Sequence, residues 1–200
     1  MIKGTDRNIL LSELHPFKDH PFKVEDNMEM DALCESIGKS GLLSPIIVRP
    51  SDEGGYEIIS GHRRFRAYQR LGMTEIPSTV CEMTDEEAIV AMVDANLHRD
   101  HILPSEKAFA YKMKLDAMKR QGYRSDLEED TTCTQPEYRS NGSKSIQQLA
   151  DESEDSREQI RRYIRLNNLI PEILELVDKG DIAFTPAVEL SYLTDEQQYA

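Results

Sequence analysis

The chain has 200 residues, 38% of them hydrophobic and 30% charged, with a formal net charge of −13. That balance suits one or two globular domains and argues against indiscriminate binding to polyanions. No apolar run approaches the roughly 20 residues of a membrane span, and MIKGTDRNILLSEL carries no signal-peptide hydrophobic region. Cys34, Cys81 and Cys133 form no CxxC or paired Cys/His spacing, so neither a disulfide framework nor a zinc site is expected. The cytoplasm is the expected compartment.

In chain order, LLSPIIVR (42–49) and YEIIS (56–60) read as short strands separated by the turn PSDEGG. GHRRFRAYQRLG follows directly. There Phe65, Ala67, Tyr68 and Leu71 suit the inner face of a helix whose other side carries arginines, with a stop at Gly72. TEIPSTVCEM reads as a further strand, and Thr84 or Asp85 can cap the helix DEEAIVAMVDANLHR. From Pro104 the pattern is helical. PSEKAFAYKMKLDAMKRQG places Phe109, Met113 and Ala117 on one stripe and is expected to end at Gly122. Residues 123–144 are polar and non-periodic, so a loop is expected. Short helices are expected over 145–153, 156–168 and 171–178, then a Gly180 stop and a last helix beginning near Pro186. The expected class is α+β: a small mixed α/β domain over 1–100 and an all-α domain over 101–200.

Basic residues cluster around 63–70, 107–124 and 157–165, so a nucleic-acid contact should be local. Residues 145–166, SIQQLADESEDSREQIRRYIRL, read as a helix-turn-helix. Ser145 and Ser156 each have Gln three residues on, the capping-box spacing. Leu149, Ala150, Ile160 and Tyr163 fall where two crossed helices need apolar contacts. The second helix would then present Ser156, Arg157, Gln159, Arg161 and Arg162 to phosphates and base edges. The bland alternative is a small bundle with a solvated polar face. It is favoured by Asp151, Glu152, Glu154 and Asp155, whose charge at the turn would repel DNA.

A strand running through a Ser-Gly turn into a helix is a natural anion site, because amide N–H groups and the helix dipole converge there. Arg63, Arg64 and Arg66 add forked donors suited to phosphate. Against this stands a solvated face paired with Glu57, Glu75 or the acids at 85–87, which suits Arg70 best. Further on, Asn96 offers a carbonyl to a hydrated Mg²⁺, Asp94 a second oxygen, and Arg99 another phosphate donor.

SGHRRFRA and NLHRDHILPSEKA, preceded by GLLSPIIVRP and followed by the helix-turn-helix, resemble the ParB family of chromosome and plasmid partition proteins. The wording is most similar to members borne on mobile elements. The resemblance runs roughly from Leu11 to Leu193. It implies a ParB/sulfiredoxin-like nucleotide-binding domain and a dimeric, CTP-dependent clamp. Such a clamp loads at a centromere-like double-stranded DNA site, slides along DNA and works with a ParA-type ATPase at the nucleoid. It further implies that Gly41, Ser44, Pro45 and Ile46 line the cytosine and ribose, that Gly61, His62, Arg63, Arg64 and Arg66 hold the triphosphate, and that Asn96 and Arg99 serve Mg²⁺ and phosphate.

Three positions depart from that pattern. His62 and Ala95 stand where the family usually has glutamates tied to metal and hydrolysis, and Ser44 where Gln is frequent. CTP binding is therefore expected, and at most weak CTPase activity. The family's C-terminal dimerisation domain is absent from these 200 residues. Two rivals remain. One is a helix-turn-helix regulator without nucleotide. The other is an ATP-dependent sulfiredoxin-like enzyme, which would need a Cys in the SGHRR turn, whereas Cys81 and Cys133 lie elsewhere.

Overall fold

The computed structural model describes residues 4–99, 101–128 and 141–199. They fall into two compact units, Met1–Ala95 and Asn96–Ala200.

The first unit holds a five-stranded sheet. Its strands are β1 (Thr5–Leu10), β2 (Leu14–His15), β3 (Ile46–Pro50), β4 (Tyr56–Ser60) and β5 (Glu75–Val80), in the spatial order β1-β5-β3-β4-β2. β1 is antiparallel to β5, β5 parallel to β3, β3 antiparallel to β4, and β4 parallel to β2. The β3–β4 register shifts between Ile47 and Val48. Helices α1 (Met28–Ser40) and α2 (His62–Arg70) pack with the sheet around Ile9, Met30, Ile37, Ile46, Val48, Ile58, Phe65, Tyr68 and Ile76. β3 begins at Ile46, not at residue 42. Pro45 has no N–H to give a ladder, and the carbonyls of Ser44 and Pro45 are taken by Arg64. α2 stops as expected, with Gly72 in a left-handed conformation (φ 66°), but Leu71 is left 37% exposed. α3 (Asp85–Leu97) opens on a reciprocal cap between Thr84 and Glu87.

The second unit is helical: α4 (Pro104–Glu128), α5 (Asn141–Asp151), α6 (Arg157–Arg165), α7 (Pro171–Lys179), α8 (Phe184–Leu190) and α9 (Asp195–Gln198). Several boundaries and faces differ from expectation. α4 passes through Gly122 to Glu128. A lone glycine costs about 1 kcal/mol against alanine, and YRSDLE contains no breaker to enforce a stop. α5 starts at Asn141, so Ser145 lies inside the helix and not at its cap. Of the expected loop 123–144, residues 129–140 lie outside the described residues. The stripe on α4 holds in part: Ala117 is buried as expected, but Phe109 is 48% exposed, and Ala108, Tyr111 and Leu115 are buried instead. Lys114 is buried beside them at 1% exposure, and this charged residue hides the true phase of the helix.

Candidate anion site and candidate nucleic-acid interface

The SGHRR turn is built from backbone first. Gly61 is the N-cap of α2 with φ 106° and ψ 23°, a region L side chains rarely enter. A Cβ there would lie 2.5 Å from Ile46 Cγ2 and 3.0 Å from Arg64 Nη2. The turn therefore abuts the start of β3, and glycine is what permits the approach.

Arg64 ties the two together. Its Nη1 donates to the Ser44 carbonyl at 2.6 Å and to the Pro45 carbonyl at 2.8 Å. Burial pulls this guanidinium below its ordinary pKa, although an arginine stays protonated at any physiological pH. Among the described residues Arg64 meets no carboxylate. It is a partly desolvated cation facing only carbonyl dipoles, an environment that an anion would complement. Ser44, Pro45, Ile46, Gly61 and Arg64 are thus brought to one place. Gly41 opens the loop to them, its own N–H donating to Ile37 and its φ at 70°.

The remaining arginines of α2 are each paired with an acid. Arg63 Nη2 donates to Glu29 at 2.9 Å, Arg66 grips Asp26 with two bonds at 2.5 and 3.2 Å, and Arg70 Nη2 donates to Asp31 at 2.6 Å. Desolvation does not offset the bond from Arg66, which holds the Asp26 carboxyl below its usual range. The bland reading therefore holds for Arg66 and Arg70, with different partners: the acids are Asp26 and Asp31. Glu57 and Asp85 bind Arg49 instead, both at 2.6 Å.

His62 is also placed differently. Its side chain is 6% exposed, its Nε2 accepts the Phe17 N–H at 3.2 Å, and its ring lies 3.8 Å from that of His20. Accepting that bond requires a lone pair on Nε2, hence an imidazole not protonated there. The His62 side chain thus meets segment 17–20.

In the second unit the helix-turn-helix contacts form as expected. Leu149 and Ile160 are buried, with Ala150 and Tyr163 against them. Ser156 caps α6 by accepting the Gln159 N–H at 3.2 Å. Two of the four acids of the turn are paired from within. Asp155 accepts Lys107 Nζ at 2.9 Å and the Tyr111 hydroxyl at 2.5 Å, and Glu152 accepts Lys114 Nζ at 2.7 Å. Burial and the Asp155 contact push the Tyr111 hydroxyl pKa upward. No local pattern hints at these partners, because they lie 38 to 48 residues away. Ser156, Arg157 and Arg161 are exposed and Gln159 half-buried. Arg157 and Arg161 sit four apart on one face of α6 and have no partner among the described residues. Arg162 does not join them. It donates to Thr185 Oγ1 at 2.8 Å and lies over the Phe184 ring at 5.0 Å, held against α8.

Residues 3–97 match the family model described as the ParB N-terminal domain, and 94% of the chain is 30% identical to the chromosome-partitioning protein Spo0J of Thermus thermophilus, 60% of whose length it covers. Residues 3–97 belong to the ParB N-terminal domain family. A nucleoid occlusion protein of Geobacillus thermodenitrificans is 42% identical over 106 residues, 52% of this chain and 37% of that protein. The chain thus spans between 37% and 60% of the length of these ParB-family relatives. In fold, it is similar to the C-terminally truncated ParB of Caulobacter crescentus complexed to the centromeric parS site: TM-score 0.58, 24% identity, covering 94% of this chain and 86% of that one. It is also similar to a Pnob8-like ParB-N domain: TM-score 0.59, 16% identity, covering 95% and 80%.

Asp94 and Asn96, the oxygen donors expected for Mg²⁺, lie two positions apart on α3. Asn96 is 5% exposed; it and Arg99 belong to the second unit, Asp94 to the first. Among the described residues no three His, Cys, Asp or Glu side chains come together as a metal cluster. Cys81 is buried where β5 ends, away from the SGHRR turn, and Cys133 lies outside the described residues. No helix of the described residues is long and apolar enough to cross a membrane.

Proposed function

We propose that this chain is a ParB-family protein that binds CTP at loop 41–46 and turn 61–64, reads a centromere-like double-stranded DNA site with α6, and works as a homodimer that closes into a sliding clamp. A ParA-type ATPase partner and nucleoid association in the cytoplasm belong to the same reading. The observation that carries it is Arg64, a half-buried cation without a carboxylate, which joins the glycine turn to the Ser44–Ile46 loop. Anion donors and a candidate base-binding edge are thereby set side by side. In this role Arg64 organises the loop and Arg63 offers a fork to phosphate. Catalysis is not assigned, since His62 is internal and Ala95 carries no carboxylate.

The test is calorimetry with CTP and ATP. Charge-assisted bonds contribute about 1.5–3 kcal/mol each, so Arg63→Ala should lower CTP affinity at least tenfold with the circular-dichroism spectrum unchanged. Equal affinity for Arg63→Ala, or binding of ATP in preference to CTP, counts against the reading. An absence of nucleotide binding would favour a plain DNA-binding regulator, an alternative that the occupied state of Arg63, Arg66 and Arg70 supports.

The DNA half has its own test. Arg157→Ala with Arg161→Ala should cut affinity for the selected site at least tenfold and flatten the plot of log affinity against log salt by about 2. Arg162→Ala should act mainly on thermal stability. Equal salt slopes for wild type and the Arg157/Arg161 variant would remove α6 as the reading element.

A further inference from the structure

The arginines of α2 divide between two tasks, and one of them stands at the division. Arg66 and Arg70 lie along the helix beyond its first turn, Arg66 gripped by both oxygens of Asp26. Arg63 is the second residue of α2, within the turn that Gly61 opens, and a single bond ties it to Glu29 on α1. That pair is loose by its surroundings: the two side chains are 34% and 63% exposed, so water screens the attraction. A polyphosphate carries several charges and more acceptor oxygens than one carboxylate, and arginine binds it through the same fork.

We propose that Glu29 is a competing internal anion, a carboxylate that occupies Arg63 and must be displaced when phosphate arrives, and so sets the affinity of the site. The proposal rests on the reading of Arg63 as a phosphate donor. Glu29 also lies in the first turn of α1, where its charge favours the helix dipole. A nucleotide that draws Arg63 away therefore alters the start of α1 as well. The competing anion thus links an occupied phosphate site to the helix beside it.

The experiment compares CTP affinity in four chains: wild type, Glu29→Gln, Asp31→Asn and Arg63→Ala with Glu29→Gln. Asp31 is the matched control, since it too is an acid in the first turn of α1 and is paired with an arginine, but with the distant Arg70. Glu29→Gln should raise CTP affinity three- to tenfold and Asp31→Asn should leave it within twofold. The gain should vanish when Arg63 is alanine. An unchanged or lower affinity for Glu29→Gln, with wild type binding normally, overturns the competition while sparing the phosphate site. An equal gain from Asp31→Asn also overturns it, since loss of any nearby charge would then suffice. No CTP binding by any of the four chains overturns both the phosphate site and the competition.

Discussion

A Gly61→Ala chain is expected to lose about 3 kcal/mol of first-unit stability and, with it, measurable CTP binding. Two effects add. The residue sits at φ 106°, a strain of about 1–3 kcal/mol for a side chain. The new Cβ then meets Ile46 Cγ2 at 2.5 Å, and Ile46 is fully buried between neighbours and cannot retreat; overpacking of this kind costs about 1–3 kcal/mol. Gly72→Ala separates the two contributions. Gly72 also has a positive φ, 66°, but open space around it, so its loss should be the conformational part alone, about 1 kcal/mol. Urea unfolding followed by circular dichroism reads both. Equal losses at the two positions would mean that the contact with Ile46 carries no weight.

The second large effect is expected at Lys114. Its ammonium is 1% exposed and bonds Glu152, whose side chain is 42% exposed. Removing one member of a buried pair is severe when the other is left buried, but Glu152 can rehydrate. Lys114→Ala should therefore cost about 3 kcal/mol, chiefly through the lost stem packing, and Lys114→Met, which keeps the stem, only about 1 kcal/mol. Similar losses in the two variants would assign the effect to the charge. The pH dependence follows from Glu152. Burial raises its pKa, and the bonds from Lys114 and Gln148 outweigh burial, so the folded value lies below the ordinary 4.5. The stabilisation is then present above pH 4.5 and lost as pH falls through the lower folded value. Acid unfolding of wild type should begin below pH 4.5, and that component should be missing in Lys114→Met.

These residues also show why some features were legible in the sequence and others were not. The turn at Gly61 and the strands flanking it announce themselves locally, through a glycine at a strand-to-helix junction and apolar residues in short runs. β1 does not: TDRNIL buries only Ile9, so no alternation marks it as an edge strand. α1 was equally silent, burying only Met30 and Ile37 over its length. The partners of the arginines were invisible for a different reason. Asp26, Glu29 and Asp31 lie 34 to 40 residues from them, and a sequence says nothing about which distant acid a surface cation will meet. In the acidic turn, the pairing of Glu152 and Asp155 was hidden in the same way, because α4 supplies Lys107, Tyr111 and Lys114 to them.

That last arrangement has a bearing on how this unit tolerates change. α4 is fastened to the turn between α5 and α6 by Lys107–Asp155 and Lys114–Glu152 and by the packing of Tyr111 and Leu115 with Leu149 and Ile160. Two ion pairs and an apolar contact thus hold the same place, so losing either ion pair alone should leave α6 docked against α4.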